Sequence, residues 1–100
     1  LDEHEKRGRI FENAVGIRLL QLPGDLYYWR EKQKEVDFIY TYQGQLYAVE
    51  VKSGRRKLSS GLDVFLAQFP KAHPVIVTMD TFAAFSENPR DFLDKVSVRL

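Results

Sequence analysis

Hydrophobic and polar positions along the chain switch between a helical period and a strand-like alternation. From about Asp2 to Leu22, Phe11, Val15, Leu19 and Leu22 share one face, with Ile10, Ala14 and Ile17 beside them. This spacing predicts a helix, stopped by Pro23-Gly24. Projected at 100° per residue, Glu12 falls next to Leu19 at the edge of the apolar arc. Arg18 falls inside the arc, which is read either as a snorkelling side chain or as a face that meets another chain.

Three strand signals follow. Leu26–Arg30 is short and aromatic, Val36–Tyr42 alternates, and Leu46–Lys52 comes after Gln43-Gly44. The alternation puts Val36, Phe38, Tyr40 and Tyr42 on one face. A polar, basic loop, Ser53-Gly54-Arg55-Arg56-Lys57, comes next. Ser59 or Ser60 is placed to cap a second helix, in which Leu62, Phe65, Leu66 and Phe69 recur at i, i+3, i+4 and i+7 before Pro70. Pro74–Met79 reads as a buried strand, and His73 before it as a turn residue. Beyond Asp80 the expectation is a helical turn around Asp91-Phe92-Leu93 and a short strand at Val96-Ser97-Val98. The order is helix, three strands, helix, strand, which makes an α/β core with a mixed sheet.

Composition narrows the chemistry. One hundred residues with 44% hydrophobic and 29% charged content make one domain with a core of its own, spanning 1–100. There is no cysteine, so disulfides, thiolate metal sites and cysteine nucleophiles are excluded. His4 and His73 are too distant in sequence for a histidine-based zinc site, so any metal would be a hard cation on carboxylates. The 15 Lys+Arg nearly balance the 14 Asp+Glu, leaving no global basic field to announce nucleic acid. No apolar run approaches the ~20 residues that span a bilayer. The opening Leu1-Asp2-Glu3-His4-Glu5-Lys6-Arg7 is no signal peptide, so a cytoplasmic location is expected. It also lacks an initiator methionine, so the sequence is read as a piece of a longer protein.

The hairpin concentrates the candidate chemistry. With Gln43-Gly44 as a two-residue loop, Tyr42 faces Gln45, Phe38 faces Val49, Asp37 faces Glu50 and Glu35 faces Lys52. Directly opposed side chains have Cβ atoms ~4.5–5.5 Å apart. Glu50 and Lys52, two residues apart, share a face, so two carboxylates converge with a lysine alongside. Opposed like charges are destabilising unless a proton, a cation or a metal offsets them. A divalent hard cation takes one or two carboxylates, water and phosphate oxygens, and this pair offers such a site. Lys52 adds a charge that could orient water or neutralise a phosphorane, so metal-assisted phosphodiester hydrolysis is the chemistry implied. The alternative is a solvated strand face carrying these charges without function.

These residues resemble a known pattern. Glu35-Val36-Asp37-Phe38, with twelve residues between Asp37 and Glu50-Val51-Lys52, resembles the D…ExK signature of the PD-(D/E)xK nuclease superfamily. Gly8-Arg9-Ile10-Phe11-Glu12 resembles the GxxxE helix motif of its RecB-like members. The element order is similar to the restriction-endonuclease-like core. Tyr28-Trp29-Arg30, Glu35-Val36-Asp37-Phe38 and Glu50-Val51-Lys52-Ser53 look more closely like a domain of unknown function, found C-terminally in a prokaryotic P-loop ATPase family. The resemblance covers about Gly8 to Val77. It implies that Asp37 and Glu50 hold Mg²⁺ (Mn²⁺ as substitute), that Lys52 is the catalytic lysine, and that Glu12 joins the metal shell or activates water. Gln68 resembles the glutamine of the RecB-like QxxxY motif, but Ala72 stands where its tyrosine would be; Val36 replaces the proline of "PD". An upstream P-loop ATPase region is the implied partner, since this sequence has no phosphate-cradling glycine loop.

Other candidates have two readings each. Glu12 could instead pair with Arg9 or Arg7. Arg55, Arg56 and Lys57 could meet DNA phosphates or form a solvated loop. The aromatic strand residues could stack bases, though sheet packing is the commoner use. The leading function is a Mg²⁺-dependent DNA phosphodiesterase using Glu12, Asp37, Glu50 and Lys52. The alternative is an inactive nuclease-fold module serving DNA binding, regulation or homo-oligomerisation of an ATPase.

Overall fold

A computed structural model describes residues 2–53 and 59–96. Helix α1 runs Glu3–Leu20, and its start is set by Asp2, whose carboxylate accepts from the Glu5 amide at 2.7 Å. Strands β1 (Asp25–Glu31), β2 (Lys34–Tyr42) and β3 (Gln45–Lys52) form an antiparallel meander. A two-residue strand β4 (Ser59–Ser60) leads into helix α2 (Leu62–Gln68); strand β5 (His73–Thr78) then lies parallel to β3. Helices α3 (Phe82–Glu87) and α4 (Pro89–Val96) complete the described chain. The sheet order is β1-β2-β3-β5, with β4 parallel to β2, so the fold is α/β with a mixed sheet. Among the described residues no helix is long and apolar enough to cross a membrane.

Apolar burial is divided between the two faces of the sheet. On one, Phe11, Val15 and Leu19 of α1 and Phe85, Phe92 and Leu93 of α3 and α4 pack on Tyr40, Tyr47, Val49, Val51, Val75 and Val77. On the other, Phe65 of α2 packs with Val36, Ile39, Ala48 and Ala72. Strand β5 buries Val75 and Val77 on the α1 side, whereas Ile76 between them is 44% exposed and Met79 after them is exposed, so the strand expected to be buried is covered on one face there.

Four expectations are corrected. Val36 lies on the α2 face with Ile39, not with Phe38 and Tyr40. Between the pairs Tyr27–Ile39 and Trp29–Val36, β1 advances two residues and β2 three, and this β-bulge reverses the alternation. His73 is the first residue of β5, buried against Tyr47 and bonded through Nε2 to Gln45 Oε1 at 2.8 Å, rather than a turn residue. After Asp80 the expected helical turn around Asp91-Phe92-Leu93 lies within α4, and a further helix, α3, precedes it. Val96 closes α4 rather than opening a strand, and residues 97–98 lie outside the described residues. Ser59 and Ser60 form β4, and Gly61 is the N-cap residue of α2, although Ser60 Oγ still accepts from the Leu62 amide at 3.3 Å.

Candidate active site

The hairpin turns at Gln43-Gly44, both with positive φ (50° and 78°), the two-residue turn whose twist matches the flanking strands. Its register is Tyr42–Gln45 through Phe38–Val49, as the loop length requires. There the ladder ends. β2 bulges at Asp37-Phe38 and leaves β3, so Glu35 pairs with Arg30 and Ser60 rather than facing Lys52. Lys34 and Glu35 already use their other edge for β1, so β4 occupies the edge that β3 has vacated. The Gly61 amide donates to Glu35 O at 2.6 Å, and a Cβ on Gly61 would lie 2.6 Å from the Trp29 ring. Only glycine allows that approach. The sheet therefore forks, with β3 on one arm, β4 on the other and Asp37 at the crotch.

Asp37 is 9% exposed, and its Oδ2 accepts the Val51 amide at 2.7 Å. The side chain thus takes the place of the ladder carbonyl that β2 withdrew. Glu50, 2% exposed, is the β3 residue just past the last pair. Val51 belongs to the cluster beneath α1, so Glu50 and Lys52 project from the opposite face. Lys52 is exposed. In the parallel register with β5, Glu50 lies beside Ile76 and Lys52 beside Thr78.

Glu12 is half-buried on α1, and Ser53 Oγ donates to its Oε2 at 2.7 Å. Ser53, 5% exposed, follows Lys52 directly and returns to the α1 side. Glu12 is thereby tied to the end of β3. Among the described residues no group of three or more His, Asp or Glu side chains is arranged to hold a metal ion. Gln68 Nε2 donates to Glu31 Oε2 at 2.8 Å, tying α2 to the end of β1. Arg55, Arg56 and Lys57 lie outside the described residues.

A second polar group, unforeseen from sequence, sits at the other end of β3. Tyr47 Oη donates to Asp94 at 2.7 Å and its ring stacks on His73 at 5.0 Å. Burial foremost, then the Asp94 contact, pushes its phenol up to about 12. Tyr40 donates to Pro23 O, and burial raises its phenol as well. The Arg90 guanidinium lies over the Tyr42 ring at 4.4 Å. The repeated Tyr at 40, 42 and 47 was the available signal, but Arg90 and Asp94 come from α4, of which the sequence pattern showed only a turn around Asp91-Phe92-Leu93.

Fold and fork together define an α/β domain with a mixed sheet and two buried carboxylates at a strand divergence. The family model described as a domain of unknown function, DUF4143, matches residues 7–91, and the chain belongs to that family. No curated protein and no solved structure gives a significant match.

Proposed function

We propose that this domain is a restriction-endonuclease-like module of the PD-(D/E)xK type that hydrolyses DNA phosphodiester bonds with Mg²⁺, acting in a chain that also carries a P-loop ATPase. The observation that carries this reading is the burial of two carboxylates, Asp37 and Glu50, beside the strand divergence. Buried anions are costly, and a hard cation offsets them while accepting phosphate oxygens in its open positions. The donor set is all oxygen and fits Mg²⁺ in kind. Asp37 and Glu50 would hold it, and Mn²⁺ would substitute. When bound, such an ion polarises a phosphoryl oxygen and acidifies water. Exposed Lys52 supplies a positive point charge for the developing phosphate charge, and Glu12 stands behind it through Ser53.

A second reading, an inactive module for DNA binding, regulation or self-association, is favoured by one observation. Asp37 Oδ2 and Glu12 Oε2 already accept hydrogen bonds from their own chain. Calorimetric titration of Mg²⁺ and Mn²⁺, with and without a DNA oligonucleotide, decides between them. Saturable binding that weakens at least about tenfold in Asp37→Asn/Glu50→Gln supports the hydrolase. It would be followed by cleavage of labelled single-stranded and duplex DNA that Asp37→Asn abolishes. Absence of binding in both conditions supports the inactive module.

A further inference from the structure

Past Val49, β3 has lost its β2 neighbour, and a strand end with one free edge frays unless other groups take up its polar atoms. Two carboxylates do so, on the residues immediately before and after Lys52. The Val51 amide is held by Asp37 from β2, and the Ser53 hydroxyl by Glu12 from α1, each at 2.7 Å. On its remaining edge Lys52 is paired with Thr78 of β5. Val51 and Ser53 are both buried, whereas Lys52 between them is exposed. The chain beneath one outward lysine is therefore gripped from two other elements of the fold, through a backbone amide on one side and a side-chain hydroxyl on the other.

We propose that Glu12 and Asp37 are positioning residues that clamp the residues on either side of Lys52, Asp37 through the Val51 amide and Glu12 through the Ser53 hydroxyl, so that the Lys52 ammonium is presented to a phosphodiester oxyanion. The proposal deepens the phosphodiester reading above and rests on it for the ligand. The chemistry of the lysine explains why a clamp matters. An ammonium on a four-carbon stem is a mobile point charge, unlike the rigid fork of arginine. Fixing its root lowers the freedom to be lost when it meets a phosphate. Charge-assisted hydrogen bonds, about twice as strong as neutral ones, suit this use at a strand end. Under this assignment the Ser53 hydroxyl is part of the site, because it bonds the 51–53 segment to Glu12 of α1.

The test uses a single-stranded DNA oligonucleotide without added metal, read by fluorescence anisotropy, together with amide hydrogen exchange at Lys52 and Ser53. Lys52→Gln is expected to weaken the oligonucleotide several-fold. Ser53→Ala should raise exchange at both amides about tenfold. It should also weaken the oligonucleotide about fivefold, and Ser53→Thr, which keeps the hydroxyl, should restore both. In the Lys52→Gln background Ser53→Ala should weaken it no further, since it acts through the lysine. Equal losses in the two backgrounds, or unchanged exchange in Ser53→Ala, would overturn the clamp. If the wild type binds no oligonucleotide without metal, the presentation of Lys52 to phosphate fails, the Mg²⁺-dependent reading is decided by the calorimetric titration, and exchange at Lys52 and Ser53 alone decides whether the clamp exists.

Discussion

Arg18 lies inside the apolar arc of α1, yet its guanidinium reaches across to α3. Nε donates to Ser86 O at 3.0 Å, the second nitrogen shares that acceptor, and the third donates to Gln21 Oε1. A carbonyl in the last turn of a helix has no intrahelical donor, so a cation there satisfies it. The open choice between a snorkelling residue and an intermolecular face is thus resolved by an acceptor 68 positions away in sequence. Tyr47 is the other residue whose role depends on a distant partner. Its folded phenol titrates near 12 against an ordinary 10.0, so the unfolded chain releases this proton first. The stability tied to it is complete below about pH 10 and is lost as pH rises through about 12. Tyr47→Phe should cost about 1 kcal/mol at neutral pH, through loss of the Asp94 bond. The gap from wild type should narrow across that alkaline window, read by denaturant unfolding at successive pH values.

The hairpin and the bulge do most to place the candidate site at the level of elements. The turn residues Gln43 and Gly44 both occupy the left-handed region, and nothing lies within 4 Å of a Cβ at Gly44. Glutamine is a poor choice for such a φ and asparagine a good one. Gln43→Asn should stabilise the protein by about 0.5 kcal/mol without altering the site, measured as a rise in thermal midpoint. Were the register unaffected but stability lowered, the left-handed turn would be wrong. The register from Tyr42–Gln45 to Phe38–Val49 was legible because a two-residue loop permits one pairing. The bulge was not legible, because an inserted residue leaves no mark in an alternation that also tolerates aromatic residues on either face. Its consequence is the change from an Asp37–Glu50 rung to an Asp37 side chain holding the Val51 amide.

Across the whole molecule the two faces of the sheet are unequally covered. The α1, α3 and α4 face buries most of the large side chains, whereas α2 contributes one fully buried residue, Phe65. Regions with few buried apolar contacts open first. Amides of α2 should therefore exchange at least about tenfold faster than those of Tyr47–Val49 in native-state hydrogen exchange. Comparable protection in both would mean that the sheet and its two layers unfold only as one unit.

By itself the sequence determined the six principal elements through Thr78, the mixed α/β class and the hairpin register from Tyr42–Gln45 to Phe38–Val49, and it singled out Glu12, Asp37, Glu50 and Lys52 as candidates. These follow from apolar periodicity, from Pro and Gly at element ends, and from residue spacing, all of which are local. Only the tertiary structure decided the strand fork, the transfer of Val36 to the α2 face, the Ser53–Glu12 link and the Tyr47–Asp94 contact. Each of these joins residues from different elements, with partners up to 47 positions apart. Such pairings arise from how whole elements pack and how buried polar atoms find acceptors, and no local pattern encodes them.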